Sequence, residues 1–409
     1  MVSKLSPFLA LRVTQYRNYL VGAFVSEIGN QMQTVAVAWQ VYELTRNPAS
    51  LGLIGLANFI PILFFSLIGG LVADKVDRKK LLIVSQALMA VITLLLFIFT
   101  YSNLITPWII YLLLFLHSTA SSFSLPARQA VLPNLVPKNL FMNAVSLSTL
   151  QFQGATMIGP AIAGLLIASF GVSSVYLFNT FSFFAFIVSV LTIKVSLSVK
   201  EKVDFHLDSI MEGIRFVFKT PILYLTMLLD FFATFFGTAT LLMPIFAKDI
   251  LEVGPTGLGL LYAAPAVGGV IAGLCMSFIH QIKGQGKVII ISVIIYGLAI
   301  IGFGLSKALP LSLAFLVLMG FGDMVSAIIR NTIRQMVTPD HLRGRMVSVM
   351  RIFFQGGPQL GEIEAGFLAK AIGGPASVVL GGVGVVLITS LIAWRSKHLR
   401  EYQGKDLTI

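Results

Sequence analysis

The sequence is poor in the residues that build cross-links, metal sites and enzyme centres. It contains one cysteine, Cys275, which cannot form a disulfide within the chain. It has no Asn-x-Ser/Thr sequon, no cluster of cysteine and histidine, and neither of the glycine-rich patterns that bind nucleotide phosphates in P-loop and dinucleotide-binding proteins. We therefore expect no metal, no cofactor, no enzymatic activity and no ATP-driven step.

Charged residues are also scarce, at 11% of 409 residues, whereas 56% are hydrophobic and the mean hydropathy is +0.90. A soluble domain needs more charge to cover its surface, so this composition favours a membrane protein. Apolar stretches of about 18 residues or more, long enough to cross a bilayer as helices, recur along the chain. They predict an all-α integral membrane protein with twelve spans, at residues 18–44, 50–73, 81–101, 106–127, 142–169, 172–195, 222–246, 257–280, 286–306, 310–331, 346–370 and 374–394.

The net charge of +12 could indicate a nucleic-acid-binding protein, but the basic residues follow the predicted topology. With both termini in the cytoplasm, all but four of the 29 Lys and Arg fall on the cytoplasmic side or at its edge. This positive-inside bias sets the orientation, and no basic surface interleaved with aromatic residues points to nucleic acid. A basic N-terminus without a cleavable signal, together with the missing sequons, suits a bacterial inner membrane.

The chain repeats itself. The stretch from Arg128 to Gly164 matches the stretch from Arg330 to Gly366 at one constant offset, and Phe-Gln-Gly at 152–154 recurs at 354–356. Glu27 matches Asp230 at nearly the same offset. The repeat predicts two six-helix bundles, residues 1–196 and 222–409, joined by a linker at 197–221 with an amphipathic segment along the inner membrane face at 210–218. Duplicated bundles are typical of secondary transporters, although a channel could also be built this way.

The segment after span 2 reads Gly70-Leu-Val-Ala-Asp74-Lys-Val-Asp77-Arg78-Lys-Lys80. It resembles the loop 2–3 signature of the major facilitator superfamily, with Asp77 in place of the usual second glycine. That variant, with the segments 39–45 and 126–137, is similar to the branch that includes the bacterial enterobactin exporter and macrolide efflux proteins. The resemblance implies a major facilitator fold.

The same resemblance implies a conformational gate formed by Gly70, Asp74, Arg78, Arg128 and Arg330. In the family the loop 2–3 aspartate caps the cytoplasmic start of helix 11, here near residues 344–347, where backbone N–H groups favour an anion. The alternative is that Asp74 and the basic residues after it only hold the orientation of the chain.

Span 5 contains Gly159, Pro160 and Gly164, which resemble part of the signature of drug–proton antiporters. This implies export, although small residues and a proline would equally serve close helix packing and a bend. Span 4 departs from the better-known drug antiporters, which carry an arginine within this span that tunes a proton-binding carboxylate. Here the first arginine is Arg128, at the predicted cytoplasmic end.

Polar residues within five spans fall on single helical faces. In the superfamily, helices 1, 4, 7 and 10 line the central cavity, which implies that these faces meet the substrate. In span 11 we expect Glu362 to face the cavity, Glu364 to face a neighbouring helix, and Pro358 to kink or break the helix. The predicted cavity residues are Asn30, Gln31, Thr34, Ser121, Thr234, Thr238, Gln355 and Gln359.

Ionisable side chains are costly inside a bilayer and are therefore candidates for proton coupling. The candidates are Asp230, Glu27, His117, Asp323 and Glu362. We interpret Glu27 and Asp230 as unpaired carboxylates and prefer Asp230, because Asn30 and Gln31 beside Glu27 could make it a substrate ligand. Arg128 and Arg330 would hold the geometry of the helix ends, paired with Asp323 or with loop carboxylates. For the serines and threonines, hydrogen bonding between helices is the alternative role.

These patterns predict a monomeric secondary transporter that exports a small organic molecule, such as a siderophore or a drug, by proton antiport and alternating access. An importer or facilitator on the same fold is an alternative, and so is a receptor or assembly factor that binds a ligand without transporting it.

Overall fold

The computed structural model describes residues 8–194, 207–279, 282–339 and 342–404, and the secondary-structure elements in these ranges are all helical. Twelve long helices follow one another along the chain. They are α1 (Thr14–Thr45), α2 (Pro48–Lys75), α3 (Arg78–Tyr101), α4 (Pro107–Leu135), α5 (Phe141–Phe170), α6 (Val172–Leu191), α7 (Pro221–Phe236), α8 (Gly254–Ser277), α9 (Gln285–Leu305), α10 (Leu309–Val337), α11 (Arg343–Ile372) and α12 (Gly374–Arg395). The predicted all-α fold with twelve long helices is confirmed.

Shorter helical segments accompany the long ones. A linker helix, Leu207–Lys219, precedes α7, and Lys397–Glu401 follows α12. Short 3-10 turns cover Leu9–Arg12, Lys138–Leu140 and Ala239–Leu242, followed by Met243–Ile245 and a π-helical turn at Phe246–Ile250.

Ten of the described helices are long and apolar enough to cross a membrane by length and composition. Of the twelve, α1 and α11 are not among these ten, although they contain 32 and 30 residues. Both carry polar side chains well inside their length, including Glu27 in α1 and Glu362 in α11.

Local sequence explains where several helices begin. Asp77, which stands where the family signature has glycine, is the N-cap of α3 and accepts hydrogen bonds from the backbone N–H groups of Lys79 and Lys80. Thr106 caps α4 through the N–H of Ile109, directly before Pro107. These residues satisfy N–H groups that a helix start leaves free, and proline at the first position loses nothing.

Two helices extend further than the sequence predicts. α4 continues to Leu135 rather than ending near residue 127, passing through Pro126 and Pro133, and α10 continues to Val337 rather than ending near 331. Proline is tolerated inside a membrane helix where neighbouring helices satisfy the backbone groups that it frees. As a result, Arg128 and Arg330 lie inside their helices and not at the ends.

Span 7 shows the opposite departure, because the predicted continuous helix over 222–246 ends at Phe236. The chain then passes through Gly237 into the short helical turns between Ala239 and Ile250. The Tyr296 hydroxyl of α9 donates a hydrogen bond to the Gly237 carbonyl at 3.1 Å, so the broken helix end keeps a partner. In α11 the reverse holds, since the helix runs through Pro358 without the expected break.

The helices divide into two compact units. Unit 1 comprises Met1–Arg46, Ala57–Val203 and Gly254–Ala263, and unit 2 comprises Asn47–Leu56, Asp204–Val253 and Ala264–Ile409. Within unit 1, α1 packs on α5 and α6, and α3 packs on α4 and α6. Within unit 2, α7 packs on α11 and α12, and α9 packs on α10 and α12, which is the same pattern. The domain boundaries at 197–221 stay a prediction.

The linker helix belongs to unit 2 and is amphipathic. Val217 is buried against Leu223 and Met227 of α7 and Met346 of α11, with Ile214 beside them. Part of its apolar face therefore packs on protein, whereas the sequence alone indicated a face lying on the membrane.

Substitution of Asp77, the N-cap of α3, tests how the structure accommodates aspartate where the family signature has glycine. Asp77→Ala should lower the free energy of unfolding by about 1 kcal/mol, whereas Asp77→Gly, the usual family residue, should cost roughly a few tenths of a kcal/mol. Unfolding in mixed detergent micelles measures both, with Asp77→Asn as the variant that keeps a cap. Equal stability of the alanine variant and the unsubstituted protein would show that the cap is unimportant.

Candidate functional site

Each unit contains an arginine–carboxylate pair that joins two helices. In unit 1, Glu27 of α1 lies 3.9 Å from Arg128 of α4, and both side chains are nearly one-fifth exposed. Gln31 donates a hydrogen bond to the other Glu27 oxygen at 3.1 Å. The Arg128 guanidinium stacks over Phe186 of α6, 4.4 Å from the ring centroid, and donates to the Ser26 hydroxyl at 3.4 Å. Arg128 therefore has partners besides Glu27.

The pair in unit 2 is tighter and has an additional arginine. Asp230 of α7 receives Arg330 of α10 at 2.8 Å on one oxygen and Arg334 of α10 at 3.1 Å on the other. The three side chains are at most 5% exposed. Asp323 lies two helical turns before Arg330 on α10. Its side chain is half exposed and is 3.7 Å from that of Arg330.

The repeat in the sequence correctly relates these residues, but two interpretations were wrong. Glu27 and Asp230 are not unpaired, and their partners are the arginines that we expected at helix ends. Because α4 and α10 are longer than predicted, those arginines lie at the depth of the carboxylates, where an unpaired charge would be costly. The expected contact of Arg330 with Asp323 is present.

Arg334 was not predicted as a site residue. Its signal in the sequence was its spacing of four from Arg330, which puts both on one helical face. That signal was missed because the segment after residue 331 was taken as a loop.

Of the predicted gate residues, Arg78 donates a hydrogen bond to the Ala130 carbonyl of α4 at 3.2 Å, which joins the start of α3 to α4. Gly70 lies in α2, and a Cβ there would meet no described atom within 4 Å. The side chain of Asp74 and those at residues 343–345 and 347–349 lie outside the described part of the structure. The Asp74 gate therefore stays a prediction.

The span 5 residues lie in close helix contacts within unit 1. A Cβ on Gly159 would come 2.7 Å from the Gln31 Cβ of α1, and one on Gly164 would come 2.6 Å from the Pro255 carbonyl oxygen of α8. Pro160 precedes Gly164 by one turn on α5 and places its carbonyl against Gly259 of α8. The packing role of this signature is therefore evident in the structure.

Several predicted cavity residues make contacts inside a unit. The Thr34, Thr234 and Thr238 hydroxyls donate to carbonyls one turn earlier on their own helices, at 3.1, 2.8 and 2.8 Å. Thr234 and Thr238 also lie against Gly357 and Gly361 of α11. Thr234 of α7 and Thr238, two residues beyond its end, thus pack against α11.

The remaining cavity predictions have mixed outcomes. The side-chain oxygens of Asn30 and Gln359 are buried without a hydrogen-bond partner among the described residues. Ser121 is partly buried, and the side chain of Gln355 lies outside the described part. These four residues stay predictions, and Asn30 and Gln359 retain free acceptor atoms.

The polar residues of span 4 contact several neighbouring helices. The His117 ring lies 5.9 Å from the Phe183 ring of α6, centroid to centroid, and its Nε2 is buried without a partner among the described residues. Ser124 receives a hydrogen bond from Gln86 of α3 at 3.0 Å, and Arg128 pairs with Glu27 of α1. Helical periodicity identifies a face but not its neighbours, and the cavity role of this face stays a prediction.

Glu362 lies at a close helix crossing. The Glu362 side chain of α11 lies against Gly55 of α2, so that a Cβ on Gly55 would come 2.7 Å from the Glu362 Cβ and 2.9 Å from Oε2. One turn on, a Cβ on Gly366 would come 2.6 Å from the Gly52 Cα. Both contacts lie within unit 2, and the cavity role of Glu362 stays a prediction.

Among the described residues, no group of three or more histidine, cysteine, aspartate or glutamate side chains could hold a metal ion. The candidate site consists of the two arginine–carboxylate pairs and the polar groups beside them.

Comparison with known proteins agrees with this arrangement. The family model MFS_3, described as transmembrane secretion effector, matches residues 3–408. The multidrug efflux pump Tap of Mycolicibacterium fortuitum is 28% identical over 367 residues, which cover 87% of this chain and 89% of Tap. The enterobactin exporter EntS of Shigella boydii is 26% identical over 396 residues, covering 95% and 93% of the two chains.

A solved structure, that of the nucleoside transporter NupG, superposes with a TM-score of 0.74 over 94% of this chain and all of the other, at 14% identity. At that identity the likeness concerns the fold alone.

The difference between the two pairs predicts different effects on stability. Asp230→Asn leaves two buried guanidinium groups without their carboxylate and should lower the free energy of unfolding by about 3–5 kcal/mol. Glu27→Gln should cost at most about 1 kcal/mol, because its pair is longer and partly exposed. Unfolding in mixed micelles measures both, with Glu401→Gln on the surface as control. A larger loss for Glu27→Gln would contradict this ranking.

Proposed function

The chain belongs to the transmembrane secretion effector family of the major facilitator superfamily, and on that premise we propose that it exports a small organic molecule by proton antiport. The family match makes it a multi-span membrane protein of a transporter family. It also confirms the resemblance to the branch of the enterobactin exporter. Export, the coupling ion and the substrate class are the parts proposed here.

The substrate class is inferred from the relatives. Tap is described as a multidrug efflux pump and EntS as an enterobactin exporter, so a siderophore or a hydrophobic drug is the substrate that their names favour. The antiporter-like residues Gly159, Pro160 and Gly164 of α5 support export over import. We also propose a monomer in a bacterial inner membrane with both termini in the cytoplasm, on the basis of the positive-inside bias.

The observation that carries the coupling proposal is the Glu27–Arg128 pair. Burial disfavours the charged form of a carboxylate, whereas a nearby arginine favours it. A change in the burial of the carboxylate, or in its distance from the arginine, therefore shifts the equilibrium between its protonated and ionised forms. Arg128 keeps Phe186 and the Ser26 hydroxyl when Glu27 becomes neutral, and this lowers the cost of breaking the pair. Glu27 can therefore bind a proton in one state of the cycle and release it in the other.

The other coupling candidates have less favourable surroundings for this role. Asp230, which the sequence favoured, is held by two buried arginines. His117 faces Phe183, and Glu362 faces Gly55. Asp323 is half exposed beside Arg330 and is the second candidate after Glu27. In alternating access, proton movement in one direction through such a group drives substrate movement in the other.

Uptake into inverted membrane vesicles with an acidic interior tests both direction and coupling, with enterobactin and ethidium as probes. The unsubstituted protein should accumulate at least one of them, and Glu27→Gln should abolish gradient-driven uptake while exchange without a gradient continues. Glu401→Gln is the surface control.

Accumulation in right-side-out vesicles instead would indicate an importer. Binding of a probe with no flux in either orientation would indicate a receptor. Full gradient-driven uptake by Glu27→Gln would remove Glu27 from the coupling role.

The gate proposal for Asp74 has its own test. Asp74→Asn should leave the protein folded but lower uptake by about tenfold, the effect of a helix-terminus interaction of about 1.4 kcal/mol. Asp77→Asn, three residues further on and still able to cap α3, is the matched control. Uptake at the unsubstituted rate, with unchanged cysteine accessibility on both membrane sides, would refute the gate.

A further inference from the structure

Arg334 is one of the residues by which the two arginine–carboxylate pairs differ. The repeat that relates Arg128 to Arg330 relates Leu132 to Arg334. Leu132 packs against the apolar core of unit 1, whereas Arg334 is a buried cation. The second unit thus has one more charge at a position where the first unit has a hydrophobic side chain.

The contacts of Arg334 fix its position closely. One terminal nitrogen donates to Asp230 Oδ2 at 3.1 Å and to the Thr226 carbonyl at 3.2 Å, both on α7. The other lies 3.4 Å from Asn331 Oδ1 and 3.3 Å from Met350 Sδ. Arg330 forms an ion pair with the other Asp230 oxygen, Oδ1, at 2.8 Å, although that oxygen accepts no hydrogen bond within the described structure.

The charged and titratable groups around Asp230 are few. From α10 come Arg330, Arg334 and Asp323, which is 3.7 Å from Arg330 and half exposed. From α9 comes Tyr296, whose hydroxyl is engaged with the Gly237 carbonyl. Among the described residues packed around Asp230, these are the charged and titratable groups that stabilise or destabilise its negative charge.

A proton on Asp230 would therefore remove a carboxylate charge from two buried guanidinium groups and leave Arg330 with the half-exposed Asp323. A guanidinium group remains protonated, so the imbalance could not be removed by losing a proton. Arg330 also donates to the Ser326 hydroxyl at 2.7 Å, but the Nε atoms of Arg330 and Arg334 lack a hydrogen-bond partner within the described structure. Glu27 differs, since it faces a single arginine and both side chains of its pair are partly exposed.

We propose that Arg334 is a positioning residue that keeps Asp230 ionised and joined to α10 throughout the transport cycle, so that only Glu27 of the two equivalent carboxylates exchanges a proton. This inference rests on the proton-coupled function proposed above. It implies that α7 and α10 move together, while the contact between α1 and α4 is made and broken.

Infrared difference spectroscopy of the purified, full-length protein between neutral and acidic pH tests the inference, because a protonated carboxyl gives a distinct C=O stretching band. Part of that band should be lost in Glu27→Gln. The charge-matched double variant Asp230→Asn with Arg334→Leu should show the same band as the unsubstituted protein, because Asp230 contributes nothing to it.

Arg334→Leu places in unit 2 the residue that unit 1 has at the equivalent position, Leu132. It should add intensity to the acid band, because Asp230 can then be protonated. The double variant has no carboxyl at position 230 and should lack this additional intensity. Arg334→Lys should restore the unsubstituted spectrum. A role of Arg334 in folding alone predicts lower stability with no additional band. If Arg334→Leu does not fold, Glu27→Gln and the double variant still decide between the outcomes.

A band that decreases in the double variant relative to the unsubstituted protein would overturn the inference, and so would a folded Arg334→Leu with an unchanged spectrum. The spectra do not depend on transport. Expected spectra without gradient-driven uptake in inverted vesicles would therefore refute the proposed function and leave the assignment of Arg334 standing.

Discussion

A charge inside a membrane protein must meet an opposite charge, and the arrangement of both units follows from that requirement. Within each unit, a carboxylate on the first helix of the repeat meets an arginine on the fourth. These contacts set the depth at which α1 faces α4 and α7 faces α10. They also explain why α4 and α10 remain helical beyond Arg128 and Arg330, since a loop there could not hold the guanidinium groups at that depth.

Small residues supply the second constraint, because the paired helices must approach closely. Gly159 and Gly164 of α5 pack on α1 and α8, and their repeat equivalents Gly361 and Gly366 of α11 pack on α7 and α2. The two units therefore use the same contacts twice. The repeat is broken at Arg334 and at Glu362, which stands in the register of Pro160. The two charge pairs also differ in length and burial, and this difference supports the separate roles proposed for them above.

Much of this architecture could be predicted from the sequence, because it depends on properties that single residues carry. Apolar length located the twelve helices, and the repeat located Glu27, Arg128, Asp230 and Arg330 as equivalent positions. Pairing could not be predicted, since periodicity of 3.6 residues places Thr234 or His117 on a face without naming the neighbouring helix. Helix ends were the other failure. The predicted spans ended at residues 127 and 331, short of the ends of α4 and α10, and Arg334 lies beyond the second of these.

The central claim is that the two charge pairs differ in strength, and a double-mutant cycle tests it most directly. The coupling free energy of unfolding in mixed micelles is measured for Glu27→Gln with Arg128→Gln, and for Asp230→Asn with Arg330→Gln. We predict below about 1 kcal/mol for the first cycle and about 2 kcal/mol or more for the second. Equal coupling, or the larger value in the first unit, would contradict the account.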